Sequence, residues 1–346
     1  MSTDKSSRIS PEALRDLCRA VLEALGTPAD LADVVADSLV QANLVGHDSH
    51  GVMRLNQYAN QVRSGQVQPS GRASQGITRA GIATVDGAWG WGQPAARLAA
   101  STAGTLSQQQ GVAAVTIAHC NHIGRLGEYV ESIAQTGLIG VAMCNADPSV
   151  APFGGRARLL GTNPMAWGIP RRDAQNPMVI DFATAGIAEG KLRVARALGE
   201  TVPLGFIVDS FGRPSGEPAA FYDGGALLPF GGHKGFGLSL VVEILAGGLS
   251  GMAPSATPEY GGGNGSIVLA IDISAFVPFA RFIDQVESLC TSIKASPRAE
   301  GVEEIWLPGE PEVATRRQRE TQGISVPEQT WNEIQALAAE LGVRVS

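Results

Sequence analysis

The sequence lacks the features that mark several large classes of protein. Its 26 Lys and Arg residues are outnumbered by 33 Asp and Glu residues, which gives a net charge of −7 without a block of one sign. Nucleic-acid-binding proteins normally carry a basic stripe, so the charge pattern argues against a nucleic-acid partner.

Long apolar runs are also missing. The first residues, "MSTDKSSRISPEALRD", contain no apolar segment of a secretory signal. The most apolar stretch, "GLSLVVEILAGGLSG", contains Glu243 and is interrupted by glycines, so it does not predict a membrane span. The cysteines, Cys18, Cys120, Cys144 and Cys290, are scattered without CxxC spacing, which argues against a disulfide framework and a zinc site. We therefore expect a cytoplasmic protein with reduced thiols, no membrane partner and no metal.

Familiar catalytic and cofactor-binding motifs are absent as well. There is no HExxH helix and no GxSxG nucleophile turn. The stretch "GAWGWG" (87–92) has the wrong glycine order for a Rossmann fingerprint and does not lie between a strand and a helix. Motifs alone therefore do not predict a dinucleotide cofactor.

Glycine, in contrast, is abundant. The 43 glycines cluster at 87–92, 154–155, 231–237 and 261–265, between apolar runs. Glycine serves where a backbone turns with positive φ or approaches a ligand closely. This pattern is typical of an enzyme whose sites are built from loops.

Apolar periodicity predicts helices at both ends of the chain and α/β organisation between them. Ser10-Pro11 and Thr27-Pro28 start two helices that end near Gly26 and Val45, and residues 52–64 continue in helical phase. We expect a helical region over 1–75, an α/β core over 76–285, and a C-terminal helical region over 286–346 that joins the N-terminal lobe. The core strands are predicted in "GIATVDG", "GVAAVTIAHC", "GLIGVAMCNA", "MAWGIP", "PMVIDFA" and "SIVLAIDI", with helices at 94–110, 125–136, 186–198 and 236–250.

The stretch "LVGHDSHGVMR" (44–54) concentrates reactive side chains and admits three interpretations. A metal site would need more ligands than His47 and His50 supply. A hydrolase relay fails because the adjacent Asp48, Ser49 and His50 point in different directions. In the third interpretation, His50 exchanges a proton with a carbonyl or hydroxyl near neutral pH. Helical i,i+4 spacing would then bring Arg54 beside it to bind a carboxylate. Alternatively, His50 could simply cap a helix and Arg54 could form a surface ion pair, without any catalytic role.

A family resemblance favours the third interpretation. "GHDSHGVMRLNQYANQVRSG" resembles the SHG-x-x-R-x-x-x-Y signature of the type 2 malate/L-lactate dehydrogenases. Further blocks match that family in order along nearly the whole chain, and the wording "GHDSHG" and "HIGR" is similar to the bacterial hydroxycarboxylate dehydrogenase branch. These blocks are "NHIGRLGEY", "GTNPMAWGIP", "MVIDFATAGIAEGKLRVA", "LLPFGGHKGFGLSLVVEILAGGLSG" and "LPGEPEVATRRQRE".

The resemblance implies a site and a fold. The fold would be α/β with a non-Rossmann mixed sheet that binds NAD, or alternatively NADP, through separate segments. His50 would be the proton donor, with Arg54 and His122 as further catalytic residues. The implied substrate contacts are Ser49, Arg54, Thr162 and Asn163. The implied cofactor contacts are His50, Gly124, Arg125, Leu126, Val179, Ile180, Asp181, Phe182, Ala183, His233, Lys234, Gly309, Glu310 and Pro311.

Each cofactor segment also has a plain structural explanation. Asp181 could accept bonds from ribose hydroxyls or cap a strand end. Lys234 could meet a phosphate at a helix N-terminus or be a solvated loop charge. Gly309 and Glu310 could form only a turn. One departure is Ala185 after Thr184, where related sequences often carry Thr-Ser, so a contact through that hydroxyl is in doubt.

The expected activity is hydride transfer between a nicotinamide cofactor and a 2-hydroxy or 2-oxo carboxylic acid in a homodimer. Malate, lactate, an aromatic hydroxy acid and a sulfonate all fit the residues. Two alternatives stay open. One is reduction of a cyclic imine carboxylate such as piperideine- or pyrroline-2-carboxylate, and the other is a catalytically silent cofactor-binding protein.

Overall fold

Helices occupy both ends of the chain and strands dominate its middle. The computed structural model describes residues 6–345. The helices there are α1 (Pro11–Ala24), α2 (Ala29–Leu44), α3 (Leu55–Arg63), α4 (Gly92–Gln110), α5 (Leu126–Gln135), α6 (Glu189–Leu198), α7 (Pro218–Tyr222), α8 (His233–Val242), α9 (Phe279–Lys294), α10 (Glu310–Gln322) and α11 (Glu328–Glu340). The strands are β1 (Ser6–Ile9), β2 (Ser74–Arg79), β3 (Ile82–Asp86), β4 (Val112–Ala118), β5 (Leu138–Cys144), β6 (Met165–Ile169), β7 (Met178–Phe182), β8 (Ile207–Val208), β9 (Pro214–Ser215), β10 (Ala226–Leu227), β11 (Ser266–Asp272) and β12 (Ile324–Pro327).

The main sheet has seven strands in the order β2-β3-β4-β11-β5-β6-β7. Strands β3 and β4 run parallel, and every other neighbouring pair in this sheet runs antiparallel. A Rossmann domain requires successive parallel strands joined by crossover helices. The mixed sheet therefore explains why the sequence carries no Rossmann fingerprint. Strand β7 forms one edge of the sheet.

Two apolar layers cover the faces of the sheet, because successive side chains of a strand alternate between faces. On one face, Ala142 and Val268 pack beneath the alanine-rich α4 and the apolar side of α5. On the other face, Met143 and Ile267 pack against α8 and the π-helical turn that continues it, Glu243–Gly248. The small side chains of α4 let that helix lie close to the strands.

The N- and C-terminal segments share one core. Ser10 caps α1, where its Oγ accepts a hydrogen bond from the amide of Ala13 at 3.1 Å. The apolar faces of α1, α2 and α3 then close on Ile324 and Ile334, near the C-terminus. Strands β1 and β12 pair antiparallel between them. The predicted fold class, a mixed-sheet core with terminal helices packed together, is confirmed. The domain boundaries stay a prediction.

Some elements were not predicted. Strands β8, β9 and β10 form a separate three-stranded sheet, each strand only two residues long. Such short strands carry no readable alternation of polar and apolar residues. Within the described part of the chain, no helix has the length and apolar character needed to cross a membrane.

Candidate active site

The stretch 44–54 folds as two consecutive 3-10 turns, Asp48–His50 and Val52–Arg54, between α2 and α3. Gly51 separates the turns in an extended conformation, and a Cβ there would lie 2.1 Å from the Oδ1 of Asn43. The same Asn43 oxygen accepts a hydrogen bond from the amide of Val52 at 2.9 Å. The expected helical i,i+4 relation between His50 and Arg54 was therefore wrong, although the two side chains are close enough to interact electrostatically.

Two side chains hold this turn, one from the end of α2 and one from α10. Asn43 donates to Asp48 Oδ1 at 2.5 Å. Arg319 of α10 binds both carboxylate oxygens of Asp48, at 2.6 and 3.0 Å, and the carbonyl of Asn43 at 2.5 Å. Asp48 is thus a structural anchor of the turn, which leaves His50 free for chemistry.

His50 and His122 form a stacked pair at the centre of the site. Their ring centroids are 5.5 Å apart and the rings are inclined by 24°. Burial, together with the charges of Arg54, His47 and Arg125, lowers the pKa of His50 to about 3. Burial likewise holds the pKa of His122 well below its ordinary value, with help from Arg54. Both rings are therefore neutral around pH 7.

Ser49 and Tyr58 each bond to one ring of this pair. The Nδ1 of His50 lies 2.9 Å from Ser49 Oγ, so this hydroxyl contacts the histidine and not only a substrate. The Nδ1 of His122 lies 2.8 Å from the Tyr58 hydroxyl, which also accepts from Gln93 Nε2 at 2.7 Å. Gln93 was not among the predicted site residues and Tyr58 entered only through the family signature. The signal for Tyr58 was its position four residues after Arg54.

Arg54 lies beside the pair and is partly buried, and this burial lowers its pKa. Its Nε donates to the carbonyl of Ser49 at 2.7 Å, and its Nη1 donates to Gln57 at 2.6 Å. These bonds orient the guanidinium group and leave Nη2 without a hydrogen-bond partner among residues 6–345. A guanidinium fixed in this way suits a carboxylate ligand.

The implied cofactor segments meet along the edge strand β7. The turn at Gly309 (φ +91°) packs on its start, where a Cβ would lie 3.0 Å from the amide nitrogen of Val179. Asp181 accepts a hydrogen bond from the amide of Gly127, in the first turn of α5, at 2.7 Å. The amide of Phe230, in the glycine loop before α8, donates to the carbonyl of Thr184 at 3.0 Å. Segments far apart in the sequence thus form one continuous surface.

The charges near β7 are mostly paired. Burial raises the pKa of Asp181, and the positive charge of Arg125 opposes this rise. Arg125 is buried, donates to Glu131 at 3.0 Å and leaves its Nε without a partner. Glu312 of the "LPGEPE" segment lies 3.4 Å from the His47 ring, and this contact lowers the pKa of Glu312. The Asp181 side chain caps the start of α5 through the Gly127 amide. It therefore does not serve merely as a cap at the end of its own strand.

Of the two predicted residues of the 161–163 turn, Asn163 points into the protein interior. Its amide donates to Ser239 Oγ at 2.8 Å and to Glu243 Oε1 at 2.9 Å, and the residue has a left-handed backbone (φ +41°). The carbonyl of Thr162 accepts from both the amide and the hydroxyl of Thr184, at 2.9 and 3.0 Å. This turn therefore supports β7, and a direct substrate contact by Asn163 stays a prediction that its burial does not favour.

Glu243 is a buried carboxylate that the sequence analysis did not assign to the site. Its oxygens accept bonds from the side chains of Asn163, Asn145 and Ser255, and from the amide of Ser255 at 2.8 Å. A buried carboxylate is tolerated when its lone pairs are satisfied in this manner. Glu243 lies in the π-helical turn, so the turn joins α8 to the loop beneath β7.

The remaining predicted cofactor residues lie at the rim. His233 and Lys234 begin α8 and are exposed, after Gly231 and Gly232 with φ of +56° and +61°. Leu126 begins α5 and is buried, and Gly124 has φ +77°. Ala185, the departure from related sequences, is 7% exposed and pairs through its backbone with Pro229, so its missing hydroxyl faces a packed environment. Ile180, Phe182 and Ala183 lie in or directly after β7, and Glu310 and Pro311 begin α10.

The residues gathered along β7 suit a nicotinamide cofactor by their chemistry. The buried Nε of Arg125 has no hydrogen-bond partner among residues 6–345, and the Asp181 carboxylate can accept bonds beyond the one from the Gly127 amide. The N-terminus of α8 follows two glycines with positive φ and carries the exposed side chains of His233 and Lys234, and a helix start of this kind favours phosphate. Among residues 6–345, no cluster of three His, Cys, Asp or Glu side chains has the arrangement of a metal site.

Comparison with known proteins agrees with this geometry. The chain matches the malate/L-lactate dehydrogenase family over residues 9–335 and belongs to that family. It is 36% identical to malate dehydrogenase of Pyrococcus abyssi over 97% of the chain and 96% of that protein. It is 35% identical to hydroxycarboxylate dehydrogenase B of Escherichia coli, with coverage of 98% and 96%. The solved Δ1-piperideine-2-carboxylate reductase of Pseudomonas syringae superimposes with a TM-score of 0.84 at 35% identity, covering 96% of this chain and all of that one.

Proposed function

We propose that this protein is an NAD(P)-dependent 2-hydroxycarboxylate dehydrogenase. The observation that carries the proposal is the neutral His50–His122 pair beside a partly buried Arg54 that is oriented by hydrogen bonds. One group can exchange a proton with the C2 oxygen and another can bind a carboxylate, which are the two features that a 2-hydroxy acid presents.

The roles follow from these positions. His50, neutral in the free enzyme, takes the hydroxyl proton during oxidation and returns it during reduction. Ser49 holds the ring of His50 through Nδ1, which leaves Nε2 for the substrate. Arg54 binds the carboxylate through its remaining Nη2, and His122 donates a hydrogen bond to a substrate oxygen. Thr162 acts through Thr184 by holding the end of β7.

The cofactor, when bound, supplies or accepts the hydride. The groove along β7 would hold it, with Asp181 near a ribose, Lys234 and the amides that begin α8 near phosphate, and the Gly309–Pro311 turn alongside Val179. A carboxylate at the ribose hydroxyls disfavours a 2′-phosphate, so Asp181 and Glu312 support NAD over NADP. The preference between the two cofactors is part of the proposal.

The decisive experiment is a panel of 2-oxo acids assayed with NADH and with NADPH by the loss of reduced-nicotinamide absorbance. The panel should contain pyruvate, oxaloacetate, an aromatic 2-oxo acid and a sulfonated 2-oxo acid. We expect turnover of at least one with NADH preferred. Cofactor binding without turnover of any of them would support the catalytically silent alternative.

A second candidate is reduction of a cyclic imine carboxylate, which the similarity to the Pseudomonas syringae reductase favours. Such a substrate presents the same carboxylate to Arg54 and a C=N bond where the 2-oxo acid has C=O. The same assay with piperideine-2-carboxylate and pyrroline-2-carboxylate separates the two, because kcat/KM identifies the better substrate.

We further propose a cytoplasmic homodimer. All four cysteines are buried and unpaired, as expected in a reducing compartment. Leu240, Val241, Ile244 and Leu249 are 39–61% exposed along α8 and the turn after it. A contiguous apolar face of this kind is costly in water, and a second copy of the chain would cover it next to the cofactor groove.

A further inference from the structure

The group that contacts His122 on the side away from His50 has no role in the proposed chemistry so far. Tyr58 and Gln93 form a buried chain that ends on the Nδ1 of His122, with donor–acceptor distances of 2.7 and 2.8 Å. Tyr58 is 1% exposed and Gln93 is fully buried. Because both side chains are shielded from water, the donors and acceptors within the chain set the direction of its bonds.

Gln93 reaches Tyr58 because the start of α4 packs closely against the loop that carries His122. Gly92 begins α4, and a Cβ there would lie 2.4 Å from the carbonyl oxygen of His122. Any larger residue would push α4 away from the His122 loop. The second residue of the helix, Gln93, therefore reaches the Tyr58 hydroxyl between α3 and α4.

The direction of the chain follows from its donors. In this structure the amide nitrogen of Gln93 faces Tyr58 and the amide oxygen is buried without a partner among residues 6–345; with this amide orientation the nitrogen can only donate, so the phenol oxygen accepts there. The single hydrogen of the phenol is then free for His122, whose Nδ1 must accept it. A neutral imidazole that accepts at Nδ1 carries its proton on Nε2.

Charge does not disturb this arrangement at neutral pH. Burial raises the pKa of Tyr58 to about 12, so the phenol keeps its hydrogen. Burial also holds the pKa of His122 well below its ordinary value, so its Nδ1 keeps the lone pair that accepts this hydrogen. The chain therefore selects a tautomer and transfers no charge.

We propose that Gln93 is a positioning residue that acts through Tyr58 to fix His122 as the Nε2–H tautomer, which makes His122 a permanent hydrogen-bond donor toward the substrate. This inference rests on the proposed function for the identity of the substrate, a 2-oxo or 2-hydroxy acid. His50 and His122 then divide the work. His50 exchanges the proton, and His122 polarises or orients the substrate without titrating.

The test combines spectroscopy with kinetics on the full-length enzyme. In protein labelled with 15N-histidine, the ring nitrogens of His122, assigned by comparison with His122→Gln, should show a non-protonated Nδ1 and a protonated Nε2. Tyr58→Phe and Gln93→Met should give mixed signals for both nitrogens. Both variants should lower kcat/KM for the 2-oxo acid by about tenfold, the share of one hydrogen bond, with unchanged NADH affinity measured by fluorescence.

Thr27→Val is the matched control. In the wild type, the Thr27 hydroxyl accepts a hydrogen bond from the indole nitrogen of Trp91 at 3.0 Å. This buried bond lies next to Tyr58 but does not involve His122. This variant should lose thermal stability but keep the His122 spectrum and kcat/KM. A protonated Nδ1 in the wild type would overturn the inference, as would variants that change the tautomer without changing kcat/KM. Failure of the wild type to reduce any 2-oxo acid would instead refute the proposed function, and the spectrum would still decide the tautomer.

Discussion

The low pKa of His50 determines which direction of the reaction responds to pH. Reduction of a 2-oxo acid takes up one proton, so the ratio of kcat/KM for reduction to kcat/KM for oxidation must fall tenfold for each pH unit. If His50 carries that proton, reduction needs the protonated ring and oxidation needs the neutral ring. Below the pKa of His50 the oxidation rate changes with pH, and above that pKa the reduction rate changes.

The structure gives the magnitude. With a pKa of about 3, His50 is neutral throughout the range from pH 5.5 to pH 8.5. We therefore expect kcat/KM for reduction to fall by about 10³-fold across these three units without a plateau, while kcat/KM for oxidation stays constant. A histidine with the ordinary pKa of about 6.5 would behave differently, because oxidation would lose about tenfold by pH 5.5 and reduction would level off there.

The assay is steady-state kinetics in both directions with saturating cofactor, on enzyme shown to stay folded at each pH. His50→Ala should lose about 10²–10⁴-fold in turnover and should no longer show the same proton dependence, with cofactor affinity retained. Arg54→Ala is the companion variant, because it should raise the KM of the 2-oxo acid and keep the wild-type pH profile. A plateau in reduction below pH 6.5 in the wild type would refute the reasoning from burial.

Three further outcomes test other parts of the molecule. Lys234→Ala should raise the KM for the cofactor more than the KM for the 2-oxo acid, and equal effects would remove Lys234 from the phosphate site. Arg319→Met should lower the melting temperature slightly and reduce kcat, because Asp48 loses a bidentate partner; Asp48 is 42% exposed, so the pair contributes about 1 kcal/mol or less. An unchanged kcat would show that the turn holds without α10. Light scattering at micromolar concentration should give the mass of a dimer, and a monomer would contradict the proposed covering of the α8 face.

The helices and strands could be predicted because their signals are local. Ser10-Pro11 at the start of α1 and the alternating runs of the central strands depend on neighbours within a few residues. The turn over 48–54 could not be predicted in detail, since one of the two residues that shape it is remote in the sequence. Asn43 and Arg319 hold Asp48, and Arg319 lies 271 positions away in the sequence. The predicted helix over 52–64 therefore began too early, because Val52–Arg54 form a 3-10 turn and α3 begins at Leu55.

The candidate site was predicted in part. The histidines and Arg54 are reactive residue types beside glycines, and the family resemblance assigned them roles. Gln93 gave no signal because a glutamine near the start of an alanine-rich helix is ordinary on a surface. Its significance comes from burial and from the close approach at Gly92, and both depend on how α4 meets the His122 loop.

The absence of a Rossmann fingerprint and the wide spacing of the proposed cofactor-binding segments in the sequence have a single structural cause. In a Rossmann domain, one glycine-rich turn after the first strand supplies the phosphate contacts, so a short motif can reveal the site. Here β7 is an antiparallel edge strand, and the helix that its Asp181 caps, α5, precedes it in the chain. The start of α8, proposed to bind phosphate, follows the strand after two further helices, and the Gly309 turn comes later still. Each piece is too short to be specific alone, and only their common contact with β7 makes them a binding site.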